Sequence, residues 1–324
     1  MGLRKICRRR YSVSYIQSMN GFEFVPFHYP FTDRKAILIR DDQKSIESYR
    51  AFIQKNNIDQ AEIVTRDLRI LQHFPMLKHL RIFASTEAQP PFDFSPLYDM
   101  PEVVSLFCRS TYGDRQQFTS EVDYSRIQGL VELAIHVNKG ARNFSQIQTL
   151  KSLLIGGFSG ANRDLTDMFQ SELLDTMRIA QCGVHSLNGL SRAKELQCLY
   201  LEYNRSLHDI RELASVKKTL KALRIEKCPK IEDFSVLREL ENLEYLALKG
   251  TNLIPSLDFL RALPNLKTFI FDVVVEDGDL SPCLDLEYVY CAKGKKHYNL
   301  RDKDLPKLRY TRGNEGIEQW RRLE

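Results

Sequence analysis

The sequence has 324 residues, 43% of them hydrophobic, with 47 Lys and Arg against 42 Asp and Glu for a formal net charge of +5. That length and apolar content suffice for a large buried core, and so small a charge excess does not call for a nucleic-acid partner. Seven cysteines, an odd number without C-x-x-C spacing, argue against a disulfide framework and for a reducing compartment.

No run approaches the roughly eighteen apolar residues that a membrane helix needs. The segment YSVSYIQSMNG after Arg10 is too polar for the core of a signal peptide. The expected location is the cytoplasm. One local charge cluster opens the chain, Arg4, Lys5, Arg8, Arg9 and Arg10, and its ordinary reading is a solvated tail.

Residues 1–57 lack the periodicity of the rest of the chain and are expected to form an N-terminal cap. Within them Ala36 to Ile39 predicts a short strand. Ile46, Tyr49, Phe52 and Ile53 are spaced as one face of a helix over residues 45–56, with Asp41 or Asp42 as its cap.

From Ile58 a repeat can be walked along the chain. It is clearest at LQCLYLEYN from Leu196, LKALRIEKC from Leu220, LEYLALKGT from Leu243 and LKTFIF from Leu266. Positions one, four and six of each copy are apolar. Position nine of the first three is Asn204, Cys228 and Thr251. Weaker copies precede them at Ile58, Leu77, Val103, Leu130, Leu150 and Leu174, and two follow at Leu286 and Leu305. Stretches such as IRELASVKKTLKAL link the copies and predict helical or 3-10 turns. The segments around Gln89-Pro90-Pro91 and Tyr112-Gly113-Asp114 predict protruding loops.

This spacing, L-x-x-L-x-L-x-x-N/C, resembles that of the leucine-rich-repeat family, and the regular steps of about 22 or 23 residues resemble its shorter, bacterial-type arrays. The resemblance implies an α/β solenoid over residues 58–312, curved, with a parallel sheet on its concave face and helices or 3-10 turns on its convex face. Residues 313–324, with Ile317 and Trp320 at helical distance, are expected to be a C-terminal capping helix. One coil cannot bury its own apolar stripe, so stacked coils share a core made of positions one, four and six. The position-nine side chain bonds the backbone of its neighbours.

In strands of period two, positions three, five and seven then point to the concave face. There they place Arg81, Phe107, Arg109, Arg178, Tyr200, Glu202, Arg224, Glu226, Tyr245, Lys249, Tyr288 and Tyr290. Aromatic and arginine residues dominate interface hot spots, so these are the candidate partner-binding residues. Cys198 faces the same way, with no histidine set beside it in the register. Gly157-Phe158-Ser159-Gly160-Ala161 misses the G-x-S-x-G elbow by its last residue. No catalytic residue, metal site or cofactor motif is read from the sequence. The expectation is a non-enzymatic scaffold binding a protein partner. Alternatives are a host-directed effector, a toxin-neutralising protein of the immunity type, and polyanion binding through the N-terminal basic cluster.

Overall fold

The computed structural model describes residues 16–27, 34–41, 43–85, 92–108 and 121–307, and the chain divides into two compact units, residues 1–144 and 145–324.

The first unit opens on a hairpin of β1 (Gln17–Met19) and β2 (Phe22–Phe27). Its two-residue turn is Asn20-Gly21, with φ of 51° and 77°, the left-handed pair that matches the twist of the strands it joins. β2 runs antiparallel to β3 (Arg34–Arg40). From β3 onward the pairing is parallel, through β4 (Gln60–Thr65), β5 (His79–Ala84), β6 (Ser105–Cys108) and β7 (Glu132–His136). The predicted strand at 36–39 is thus the first member of the parallel series, because Ile37 and Ile39 fall in register with Ala61 and Ile63.

The one α-helix among the described residues, α1 (Ile46–Lys55), buries Tyr49, Phe52 and Ile53, and Phe22 stacks on Phe52 with ring centroids 4.0 Å apart. Its cap is Ser45, whose Oγ accepts from the Ser48 N–H at 3.2 Å. Asp41, expected as a cap, instead accepts from the Thr65 hydroxyl and the Arg66 N–H, each at 2.7 Å, and so ties β3 to the end of β4.

Among the described residues the second unit's main sheet is a parallel series of seven strands, beside a short parallel pair of Leu253–Ile254 and Val274–Val275. The seven are β8 (Ser152–Gly156), β9 (Thr176–Ala180), β10 (Cys198–Glu202), β11 (Ala222–Glu226), β12 (Tyr245–Lys249), β13 (Thr268–Phe271) and β14 (Tyr288–Cys291). Position four forms the column Leu153, Met177, Leu199, Leu223, Leu246, Phe269, Val289. Position six forms Ile155, Ile179, Leu201, Ile225, Leu248, Phe271, Cys291. All of these are buried, which is why the repeat is apolar at those positions.

Five of the six links between these strands contain a 3-10 turn, among them Arg211–Val216, Ser235–Glu239 and Asp258–Ala262, and the link from β8 to β9 turns without one. An Asp or Ser two residues upstream accepts from a backbone N–H at the start of the turn. Asp164 does so from Thr166 at 3.0 Å, Asp209 from Arg211 at 3.0 Å, Asp233 from Ser235 at 2.8 Å, Ser256 from Asp258 at 3.1 Å and Asp279 from Ser281 at 2.9 Å. Each supplies one of the partners that a short helix cannot provide for itself.

The position-nine column works as expected at three coils. Buried Asn204 accepts from the Cys182 N–H at 2.9 Å and donates to the Ile179 carbonyl at 2.8 Å. The thiols of Cys182 and Cys228 donate to the Ile155 and Leu201 carbonyls at 3.7 and 3.6 Å. At the next coil the column shifts by one residue. Asn252, not the exposed Thr251, is buried and donates to the Cys228 and Ile231 carbonyls at 3.0 and 2.9 Å. Gly250, at φ 150°, absorbs the extra residue.

The unit expected to open at Leu305 does not continue the parallel series within the described residues. Lys307 bridges Tyr288 in antiparallel sense, and the Val289 N–H donates to the Pro306 carbonyl at 3.0 Å. Leu308, Tyr310, the expected capping helix at 313–324, the basic cluster near the start and the loop at 112–117 lie outside the described residues.

Candidate interaction surface

The parallel register puts positions three, five and seven of consecutive coils side by side, about 4.8 Å apart, on the sheet face turned away from the leucine core. In the second unit the rows are Thr176, Cys198, Ala222, Tyr245, Thr268, Tyr288, then Arg178, Tyr200, Arg224, Ala247, Ile270, Tyr290, and, from β9 to β12, Ala180, Glu202, Glu226, Lys249.

This face is layered by burial. Tyr200 and Tyr245 are only 2% and 1% exposed, and Tyr245 packs in an apolar cluster with Ala222, Ala247 and Ile270. Burial pushes the Tyr200 phenol far above its ordinary value. These two tyrosines are therefore packing residues of the face. Tyr290, by contrast, is 43% exposed, and Tyr288 and Lys249 are half-buried.

The charged residues form one chain across three strands. Arg178 Nε donates to Glu202 Oε2 at 2.9 Å, Arg224 Nε lies 3.7 Å from the other Glu202 oxygen, and Arg224 also pairs with Glu226 at 3.1 Å. The Glu202 and Arg224 side chains are 7% and 11% exposed, whereas that of Arg178 is 43% exposed. Burial alone would raise the Glu226 carboxyl. The hydrogen bond and charge of Arg224, aided by Lys249, outweigh it and hold the group below its ordinary range. A fixed row of alternating sign is thus built into the face, with Arg178 at its open end.

Beyond β13 the aromatic pair Tyr288 and Tyr290 carries the Lys307 ammonium, 5.5 and 5.6 Å from the two ring centroids. At Cys198 burial pushes the thiol up to about 11, so the thiolate that a nucleophile requires is suppressed.

In the first unit two of the candidates are engaged internally. Arg81 pairs with buried Glu62 at 3.2 Å, donates to the Pro26 carbonyl of β2 at 2.7 Å and lies 5.8 Å from the Phe107 ring centroid. It thereby pins the opening hairpin to the strand series. Arg109 lies outside the described residues. A cavity of about 400 Å³ beside α1 is lined by Arg40, Asp41, Lys44, Tyr49, Thr65 and Asp67, among others. Its carboxylates are already used, Asp41 as above and Asp67 by Arg69 at 2.7 Å. Among the described residues no group of three or more His, Cys, Asp or Glu is placed to hold a metal ion, and no helix is long and apolar enough to cross a membrane.

No protein-family model matches the sequence, and no curated protein matches it. Solved structures do. A leucine-rich-repeat protein of Leptospira interrogans aligns with a TM-score of 0.50 at 13% identity, over 75% of this chain and 62% of that one. This chain has the leucine-rich-repeat fold. An internalin of Listeria monocytogenes aligns at a TM-score of 0.43 and 15% identity, covering 76% and 88% of the two chains. The functional domain of a second Listeria internalin aligns at 0.43 and 14%, covering 67% and 53%. The fold accounts for the parallel strand register within each unit. The side chains on the sheet face are this chain's own.

Sequence patterning missed two things about this surface. Period two tells which side of the sheet a residue takes, but not whether that side is covered, so Tyr200 and Tyr245 read as exposed. The Asp-x-Ser, Asp-x-Thr and Asp-x-Arg triplets at 233, 164 and 209 carried a legible turn-capping signal outside the leucine columns.

Proposed function

We propose that the chain is a non-catalytic scaffold that holds a protein partner on the sheet face of its second unit. The observation that carries this reading is the fixed face itself. An ion-paired row, open at Arg178, and an exposed aromatic, Tyr290, are held on rigid, hydrogen-bonded strands. Aromatic and arginine side chains on pre-ordered backbone lose little entropy on binding, and they are the types that dominate interface energetics. The partner contacts Arg178, Lys249, Tyr288 and Tyr290, while Tyr200, Glu202, Arg224, Glu226 and Tyr245 set their positions.

The thiols of Cys182 and Cys228, used as hydrogen-bond donors within the ladder, suit a reducing compartment, and the cytoplasm is the proposed location. Effector and toxin-neutralising roles are both special cases of this binding and differ only in the partner.

The test is affinity capture at moderate salt with the intact chain and with Arg178→Ala and Tyr290→Ala variants. Each variant is expected to lose about tenfold in affinity for the captured protein, about 1.4 kcal/mol. Affinity that collapses with added salt and survives both substitutions would instead assign binding to the basic cluster from Arg4 to Arg10.

A further inference from the structure

The charges of the sheet-face row neutralise one another, but those on the rim beside it do not. The stretches that follow β8 to β11, residues 157–163, 181–186, 203–208 and 227–231, hold no Asp or Glu. They carry Arg163, Arg205, Lys227 and Lys230, all exposed, and among the described residues none of these four lies in an ion pair. His185 and His208 stand on the same rim.

The backbone sets this rim apart a second time. Each stretch opens in the left-handed region, on Gly157 at φ 70°, Gln181 at 55°, Tyr203 at 56° and Lys227 at 52°, and the next coil returns to Gly250. Glycine serves at both ends of this column, so the turn itself asks for no side chain. Arg163 is left-handed too, at 53°. Elsewhere among the described residues the non-glycine residues at positive φ are Asn20, Asn57 and Asn143, of a type that tolerates it. Four side chains are thus kept on one rim in a disfavoured conformation, and strain of that kind collects where a surface is used.

Arg163, His185 and His208 stack on successive coils. The His185 N–H donates to the Arg163 carbonyl at 2.6 Å, and the His208 N–H to the His185 carbonyl at 3.0 Å. The two imidazole rings lie 5.5 Å apart, and Arg163 Nη1 stands 3.2 Å from His185 Nε2. A guanidinium only donates, so that nitrogen accepts and His185 is neutral. Desolvation and the charges of Arg163, His208 and Lys230 hold its protonation below the ordinary range. The carboxylates nearby are Asp164, bonded to Thr166, Asp209, paired with Arg211 at 2.6 Å, and Glu232 in the coil beyond.

We propose that this rim binds an extended acidic polypeptide segment, whose carboxylates accept from Arg163, Arg205, Lys227 and Lys230, and that His185 takes up a proton as it binds. The four coils span about 14 Å, which an extended chain covers with about four residues. The Lys227 ammonium covers the Tyr203 ring, 4.7 Å from its centroid, so these stretches offer no open aromatic for a nucleic-acid base to stack on. That such a segment belongs to the partner of the sheet face rests on the reading above, whereas the binding itself does not.

The probe is a rhodamine-labelled hexaglutamate peptide, followed by anisotropy with the full-length chain at low salt. Binding is expected to be several-fold tighter at pH 6 than at pH 8, where the peptide is ionised at both, and His185→Asn should remove most of that difference. Arg163→Gly combined with Lys227→Gly should weaken binding at least tenfold at pH 6 without lowering the thermal midpoint, since glycine relieves both turns. The peptide should also raise the pH at which His185 titrates by NMR, and where the glycine variant fails to fold this titration decides. Undetectable binding overturns the proposal, as does equal affinity in the folded glycine variant, which would move the peptide to the N-terminal basic cluster. A single-stranded hexanucleotide bound more tightly than hexaglutamate would overturn the polypeptide assignment, and a pH dependence that His185→Asn leaves intact would overturn the proton uptake. Each of these failures leaves the sheet-face test, which varies Arg178 and Tyr290, standing.

Discussion

A single buried amide marks where the coil after β12 turns. Asn252 gives two Nδ2 hydrogen bonds to carbonyls of the preceding coil, while Thr251 beside it faces solvent. Asn252→Ala should therefore cost about 1–3 kcal/mol, since it strands two buried acceptors. Thr251→Ala should fall within about 0.5 kcal/mol of the parent. Urea denaturation of the two variants checks this, and equal losses would restore the unshifted register. The same reasoning applies to the ion row. Glu202→Ala leaves Arg178 and the buried Arg224 short of a shared carboxylate, and a loss of roughly 3–5 kcal/mol is expected for breaking such a buried pair. A loss below about 1 kcal/mol would mean that water replaces the carboxylate and that the row is not rigid.

The elements show what periodicity carries and what it omits. Core columns at positions four and six were legible because each apolar residue faces the same environment in every coil, and the strands fall where those columns predict. The strand at 34–40 joined the parallel series for the same reason, through Ile37 and Ile39. The slip at Gly250 was not legible, because a positive-φ glycine adds a residue without changing the leucine spacing. Nor was the burial of Tyr200 and Tyr245, which depends on what covers a face and not on which face a side chain takes. The antiparallel bridge of Lys307 to Tyr288 was not legible, because Leu305 satisfies the repeat spacing whichever way the next residues pair.

The turn-capping aspartates give the elements a pH signature. Side-chain and backbone hydrogen bonds from Arg211 hold Asp209 down to about 2. The same kinds of bond from residue i+2 lower Asp67, Asp123, Asp233 and Asp279. A carboxyl depressed in the folded state contributes stability above its unfolded value, near 3.9, and loses it as pH falls through the folded value. The contribution of these caps should thus be constant above about pH 5 and decline steadily toward about pH 2. Replacing Asp209, Asp233 and Asp279 together by Ala should flatten that decline in a denaturation series, and an unchanged slope would show that the caps do not act.

At the scale of the whole molecule, the fold supplies repetition and the side chains supply meaning. Each unit stacks parallel strands on a shared leucine core, and such coils are idle until their sheet face differs from coil to coil. In the second unit it does, running from an ion-paired row on β9 to β11, through a buried apolar patch, to an aromatic pair on β14. The large apolar residues that stand exposed off this face, such as Leu253 at 50% and Leu284 at 48%, provide an internal control for exposed side chains.

The measurement that bears most directly on the account is affinity capture of a partner by three full-length chains that all fold: the parent, the double variant Arg178→Ala with Tyr290→Ala, and the double variant Leu253→Ala with Leu284→Ala. The account predicts one protein retained by the parent and by the leucine variant, and lost by the variant of the sheet face. Retention by the sheet-face variant, or loss by the leucine variant alone, would contradict it and move the binding surface off the sheet.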